Sequence, residues 1–185
     1  MSSTKRIGAG MYILASILVL ALMTLLFGDA IDRQRNPNRL PGTVSIEHGE
    51  TSIALQRNAA GHYVFNGSVN GFSAEFIVDT GATSVSVPGS LAHKIGLDKG
   101  AAQQALTANG ITLAYATRID SLTVGDIEER NIAASIVPNL PGGQILLGMS
   151  FLKRLDFSQR GDTLILTQRN VQSGIQEPQA TPPRN

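Results

Sequence analysis

From Ile7 to Gly28 the chain runs 22 residues without a charged side chain, and no other feature restricts its fold as strongly. An α-helix needs roughly 20 apolar residues to cross a bilayer. This run is apolar on every helical face, so as a helix it suits lipid or a fully enclosed core, not a half-wet surface. A cleaved secretory signal is the second reading, with Gly28 and Ala30 as small residues before a cut. The apolar run exceeds the length usual for such a signal, and the reading taken is an uncleaved transmembrane helix over 7–28. Basic residues flank it on both sides: Lys5 and Arg6 before, Arg33, Arg35 and Arg39 after. Charge alone therefore leaves orientation nearly balanced. The short N-terminal segment decides it, placing residues 1–6 inside as a cytoplasmic tail and the bulk of the chain outside. In a bacterium that is a single-pass inner-membrane protein with its domain in the periplasm.

The polar stretch 29–49, with Pro37 and Pro41, reads as a juxtamembrane linker. The polar stretch 171–185, with Pro178, Pro182 and Pro183, reads as a disordered tail. Residues 50–170 remain for a single domain. Their pattern is mostly β. Phe72–Val78 follows Asn70-Gly71, the strongest short hairpin signal. Ser84–Val87 alternates polar and apolar residues. A short helix is expected near Leu91–Ile95, capped by Ser90 and ended by Gly96. A second Asn-Gly pair, Asn109-Gly110, separates two further β runs, and Ile119–Val124, Ile127–Val137 and Thr163–Thr167 complete the strand pattern. One or two helical turns follow Gly148. Many short strands with turn signals imply an all-β barrel or sandwich.

Net charge is +1 with 16% charged residues, which gives no nucleic-acid footprint. The absence of Cys removes disulfide and thiolate-metal chemistry. His48, His62 and His93 are scattered, and neither a phosphate-binding loop nor a Gly-x-Ser-x-Gly elbow is present. No metal site and no cofactor are expected. What remains is Phe76-Ile77-Val78-Asp79-Thr80-Gly81-Ala82-Thr83. Read alone, Asp79-Thr80-Gly81 is also what a strand ending in an Asx turn looks like, with Asp as the cap and Gly at positive φ. Its setting adds weight: an apolar strand precedes it, and Leu146-Leu147-Gly148 follows later, leading into the short helix.

These residues resemble the retropepsin-like aspartic proteases, most closely the bacterial group with an N-terminal membrane anchor and a periplasmic domain. The resemblance runs from about Tyr63 to Gln168 and rests on Phe76–Thr83, Asn109-Gly110, Ile145–Gly148 and the Met149–Leu152 helix. It implies an all-β closed barrel with one short helix after the Leu-Leu-Gly segment. It also implies peptide hydrolysis by a water held between two carboxylates, which share one proton because neighbouring like charges resist joint ionisation. The chain has a single Asp-Thr-Gly, and none of Asp98, Asp120, Asp126, Asp156 or Asp162 is followed by Thr/Ser-Gly. Asp79 would therefore meet its own copy across the two-fold axis of a homodimer. By the same resemblance Thr80 locks the paired loops, and Gly81 and Ala82 line the substrate cleft. The hairpin around Asn109 and Gly110 would cover the substrate, and Leu146 and Leu147 would pack beneath the Asp loop. Thr83 stands where viral members carry an Asp, so a salt bridge built on that position is absent. The implied partners are a peptide or protein substrate, a second copy and the membrane. Two other functions fit the residues: a membrane-tethered peptide-binding module of the same fold without catalysis, and a structural β-domain in which Asp79 only caps a turn.

Overall fold

The apolar run lies within one helix, α1 (Ser3–Arg35), in the computed structural model, which describes residues 3–47, 50–107 and 110–169. At 1.5 Å per residue α1 is about 50 Å long. Its apolar side chains from Met11 to Phe27 are exposed all round, and it is long and apolar enough to cross a membrane. The helix outlasts the apolar run by seven residues. Asp29–Arg35 contains no helix breaker, and Arg33 and Arg35 occupy the last turn, where cations oppose the helix dipole. The helix stops at Asn36 because Pro37 disfavours helical backbone in the residue before it. The segment 29–49, expected as a linker, thus carries the end of α1, a docked stretch and a strand, β1 (Thr43–Glu47). Asn36 and Asn38 are buried, at 4% and 6% exposure. His48 and the tail 171–185 lie outside the described residues.

The remaining elements are β2 (Glu50–Gln56), β3 (Val64–Val69), β4 (Phe72–Val78), β5 (Val85–Pro88), α2 (Gly89–Ile95), β6 (Ala102–Thr107) and β7 (Gly110–Val124). They are followed by β8 (Ile127–Val137), β9 (Ile145–Leu147), α3 (Met149–Leu152), β10 (Asp156–Arg160) and β11 (Thr163–Arg169). A four-stranded sheet has the order β1-β2-β11-β10, and a seven-stranded sheet the order β3-β4-β9-β5-β8-β7-β6, with β3 also pairing with β7. The expected fold is met in its general form, a mostly β domain behind a long apolar helix. Its strands are divided between two sheets, and two short helices accompany them.

The β3–β4 hairpin turns at Asn70 and Gly71, at φ 50° and 81°. Both residues adopt the left-handed backbone that a two-residue hairpin loop demands. Asn70 Oδ1 also accepts the N–H groups of Asp120 and Ser121 at 3.1 and 3.0 Å, pinning the hairpin to β7. At the core, Phe65 and Phe76 stack with ring centroids 5.2 Å apart, both fully buried. Leu55 and Leu166 face inward from the smaller sheet, and Ile119, Ile136 and Leu147 from the larger. Helix α2 ends as expected at Gly96, at φ 75°. It begins one residue before Ser90: Pro88 occupies the cap position without a side-chain cap bond, so Ser90 lies inside the helix.

Candidate active site

Strand β4 delivers Asp79, and β9 fixes where it stops. The two strands run parallel in the register Phe76↔Ile145, Ile77↔Leu146 and Val78↔Leu147. One residue further on, Asp79 N–H donates to Leu147 O at 3.1 Å. The chain then turns. Gly81 N–H donates to Asp79 Oδ1 at 2.9 Å, and Ala82 N–H to Asp79 O at 3.2 Å. This is the Asx turn anticipated as one reading of the triplet. Gly81 is not in the left-handed region. Its contribution is room, since a Cβ there would lie 3.2 Å from Asp79 Oδ1.

The Leu-Leu-Gly segment locks this turn from the other side. Met149 N–H donates to Ala82 O at 2.8 Å. A Cβ on Gly148 would sit 2.3 Å from Ser84 O and 2.7 Å from Ala82 O, so only glycine permits the approach. The two leucines do not share a role. Strand alternation buries Ile145 and Leu147 completely, whereas Leu146 is half-buried and lines the cleft. Leu146 thus departs from the expected core position. Ser150, which pattern reading passed over, is a further support. Its Oγ accepts Val85 N–H at 3.0 Å and donates to Ala133 O at 2.7 Å, tying α3 to β5 and β8.

The turn opens onto a cleft of about 1290 Å³ whose lining includes Asp79, Gly81, Ala82, Gly110, Ile111 and Leu146. Asp79 is half-buried, and Thr80, Gly81 and Thr83 are exposed. Among the described residues lining the cleft, Asp79 is the only carboxylate and Arg118 the only cation. Gly110 and Ile111 reach the cleft from the start of β7, where Gly110 pairs with Thr107 and has φ 103°. Asn109 lies outside the described residues. The cleft wall between the turn and β8 is polar: Ser84 Oγ and Ser135 Oγ are 2.9 Å apart, and Gln103 Nε2 donates to Ser135 Oγ at 2.9 Å. The structure brings Asp79, Gly81, Ala82 and Gly110 to one cavity, while His62 and His93 do not line it.

Comparison with known proteins places the chain in a family. Residues 65–154 match the family described as "gag-polyprotein putative aspartyl protease". An uncharacterised protein of the cobV 5′ region from Sinorhizobium sp is 34% identical over 134 residues, 69% of this chain and 58% of that protein. An uncharacterised protein from Rickettsia prowazekii (strain Madrid E) is 37% identical over 127 residues, 66% of this chain and 53% of that protein. The chain therefore spans little more than half the length of these two relatives. The crystal structure of a retropepsin-like aspartic protease from Rickettsia conorii superposes with a TM-score of 0.57 at 34% identity, covering 64% of this chain and 92% of that one. With the Asp-Thr-Gly turn gripped by the Leu-Leu-Gly segment, and with likeness over nearly all of that solved chain, this protein belongs to the retropepsin-like aspartic protease family.

Proposed function

We propose that the chain is a membrane-anchored aspartic endopeptidase that becomes catalytic when two copies bring their Asp79 carboxylates together. One observation carries this reading: Asp79 is the only carboxylate among the described residues lining its cleft. A water held between two carboxylates needs a second one, and a C2 dimer supplies it by placing the same surface patch against itself. One Asp79 is ionised and takes a proton from the water as its oxygen attacks the scissile carbonyl carbon. The other, protonated, donates to the carbonyl oxygen, giving a tetrahedral diol. The protonated member of the pair then gives its proton to the amide nitrogen while the other carboxylate takes one from a diol hydroxyl, so the C–N bond breaks, a carboxylic acid and an amine leave, and one proton stays on the pair.

Thr80, exposed at the tip of the turn, bonds across the dimer. Gly81 and Ala82 form the cleft floor against which an extended peptide lies, held by backbone hydrogen bonds. The β6–β7 hairpin, with Gly110 at the start of β7, closes over it. Helix α1 anchors the chain in a bacterial inner membrane with the domain in the periplasm, and confining two copies to one membrane raises their effective concentration. The Sinorhizobium and Rickettsia relatives support the bacterial setting. The Asx turn on Asp79 Oδ1 gives a purely structural role for that residue a specific basis, and the test separates the two. Full-length protein in detergent is incubated with a synthetic peptide library beside an Asp79→Asn variant of matched fold and sedimentation. Cleavage by the wild type alone supports the protease; equal cleavage by both removes Asp79 from the chemistry.

A further inference from the structure

We propose that Asn36, Glu75 and Gln144 are positioning residues for the Asp79 loop, clasping the end of α1 to the start of the β4–β9 pairing that leads into it. The inference rests on the reading of Asp79 as the catalytic carboxylate.

The β4–β9 pair is short. Three residue pairs define its register, and β9 is only three residues long. A one-residue slip would turn Leu147 out of the core, Leu146 into it, and break the bond from Asp79 N–H to Leu147 O. Register therefore has to be secured outside the ladder. At the end of that pairing away from Asp79, Glu75 directly precedes Phe76 in mid-β4 and Gln144 directly precedes β9. Gln144 Nε2 donates to Glu75 Oε1, joining the strands side chain to side chain. Asn36 Nδ2 donates to Glu75 Oε2 at 3.0 Å and also to Asn66 Oδ1 at 2.9 Å on β3. Arg35 Nη2 lies 3.6 Å from Glu75 Oε1. One carboxylate thus gathers donors from the residue before β9 and from the end of α1 and the residue after it, about 13 Å along β4 from Asp79.

The helix end is itself held. Asn36 Oδ1 accepts Asn38 N–H at 3.1 Å. Asn38 Nδ2 donates to Gln56 O at 2.9 Å and Val64 O at 2.8 Å, and its Oδ1 accepts Gln56 N–H at 2.7 Å. Asn58 Nδ2 donates to Arg35 O at 2.9 Å. Asn38 so bridges β2 of one sheet and β3 of the other. A segment serving only as a tether has no need to bury two asparagines with both amides engaged. The arrangement makes α1 part of the frame that sets the catalytic turn.

The test uses full-length protein in nonionic detergent and a swap of donor and acceptor. Asn36→Asp sets a carboxylate against Glu75. Glu75→Gln in addition restores one donor facing one acceptor. Hydrogen exchange at the Asp79 amide should rise about tenfold in Asn36→Asp, the scale of one hydrogen bond to a charged group, and return to within about threefold of wild type in the double variant. With the most rapidly cleaved library peptide, kcat should fall about tenfold in Asn36→Asp with KM within about twofold, and recover in the double variant. Gln144→Leu removes the β9 side of the clasp without adding charge, and should raise Asp79 amide exchange about threefold if Asn36→Asp fails to fold. Asp79 exchange unchanged in the single variants, or raised and not restored by the swap, would overturn the proposal. Absent cleavage by the wild type, or cleavage that survives Asp79→Asn, would count against the catalytic reading instead. The exchange result would then decide the clasp alone.

Discussion

Gly148 is the position where the structure leaves least room, and Gly148→Ala tests how the site is built. An added Cβ would meet Ser84 O at 2.3 Å, Ser84 C at 2.6 Å and Ala82 O at 2.7 Å, all backbone atoms. Ordinary contact begins near 3.4 Å, so the Ala82–Ser84 backbone and the start of α3 must part by roughly 1 Å. That separation strains the bond from Met149 N–H to Ala82 O. Overpacking costs about 1–3 kcal/mol and the lost bond about 1 kcal/mol. Together these give about 2–4 kcal/mol, a large fraction of the roughly 5–15 kcal/mol that holds a domain folded. Urea unfolding of the full chain in detergent, followed by tyrosine fluorescence, should show the midpoint lowered by about 1–2 M at an ordinary slope. Peptide cleavage at a urea concentration where both proteins are folded should fall as well, because the displaced backbone is the one that carries Asp79. Gly42→Ala is the control, since Gly42 is exposed with nothing near its Cβ. A Gly148→Ala midpoint indistinguishable from that of Gly42→Ala would refute the close approach and the support it lends the Asp turn.

Three further outcomes follow from the same region. Leu147→Ala removes a fully buried side chain and should cost about 2–5 kcal/mol of stability in urea unfolding. Leu146→Ala, at a half-buried cleft position, should cost under about 1.5 kcal/mol while changing KM for peptides by several-fold. Ser150→Ala strands the Val85 N–H in a buried site and should cost about 1–3 kcal/mol, read in the same unfolding assay.

Some of this was legible from residue order and some was not, for physical reasons. The β3–β4 hairpin was legible because few residues tolerate two successive left-handed conformations, and Asn70-Gly71 does. The Asp turn was legible because its bonds are local: Asp79 caps Gly81, two residues on. Gly148 was legible as part of the Leu-Leu-Gly segment, and the Cβ distances add why it has to be glycine. The separation of Leu146 from Leu147 was not legible, since a three-residue apolar run carries no alternation. Strand β10 was missed because all five of its residues are exposed and its pairing with β11 is the only thing that makes it a strand. The reading of 29–49 as a linker followed its Asn, Arg and Pro content, and composition does not reveal that Asn36 and Asn38 are buried. Their amide partners on Gln56, Val64, Asn66 and Glu75 are assembled only by the tertiary fold. Gly110 was taken as a turn residue, whereas its pairing with Thr107 places it at the start of β7.

The central claim is that catalysis needs two Asp79 carboxylates from two chains, and subunit mixing tests it most directly. Wild-type and Asp79→Asn chains are co-folded in varying ratios at constant total concentration, and the peptide cleavage rate is followed. If both carboxylates are required, the rate falls as the square of the wild-type fraction, to about a quarter of the wild-type value in an equal mixture. A linear fall, to about a half in the equal mixture, would mean that each chain works alone and would contradict the shared site.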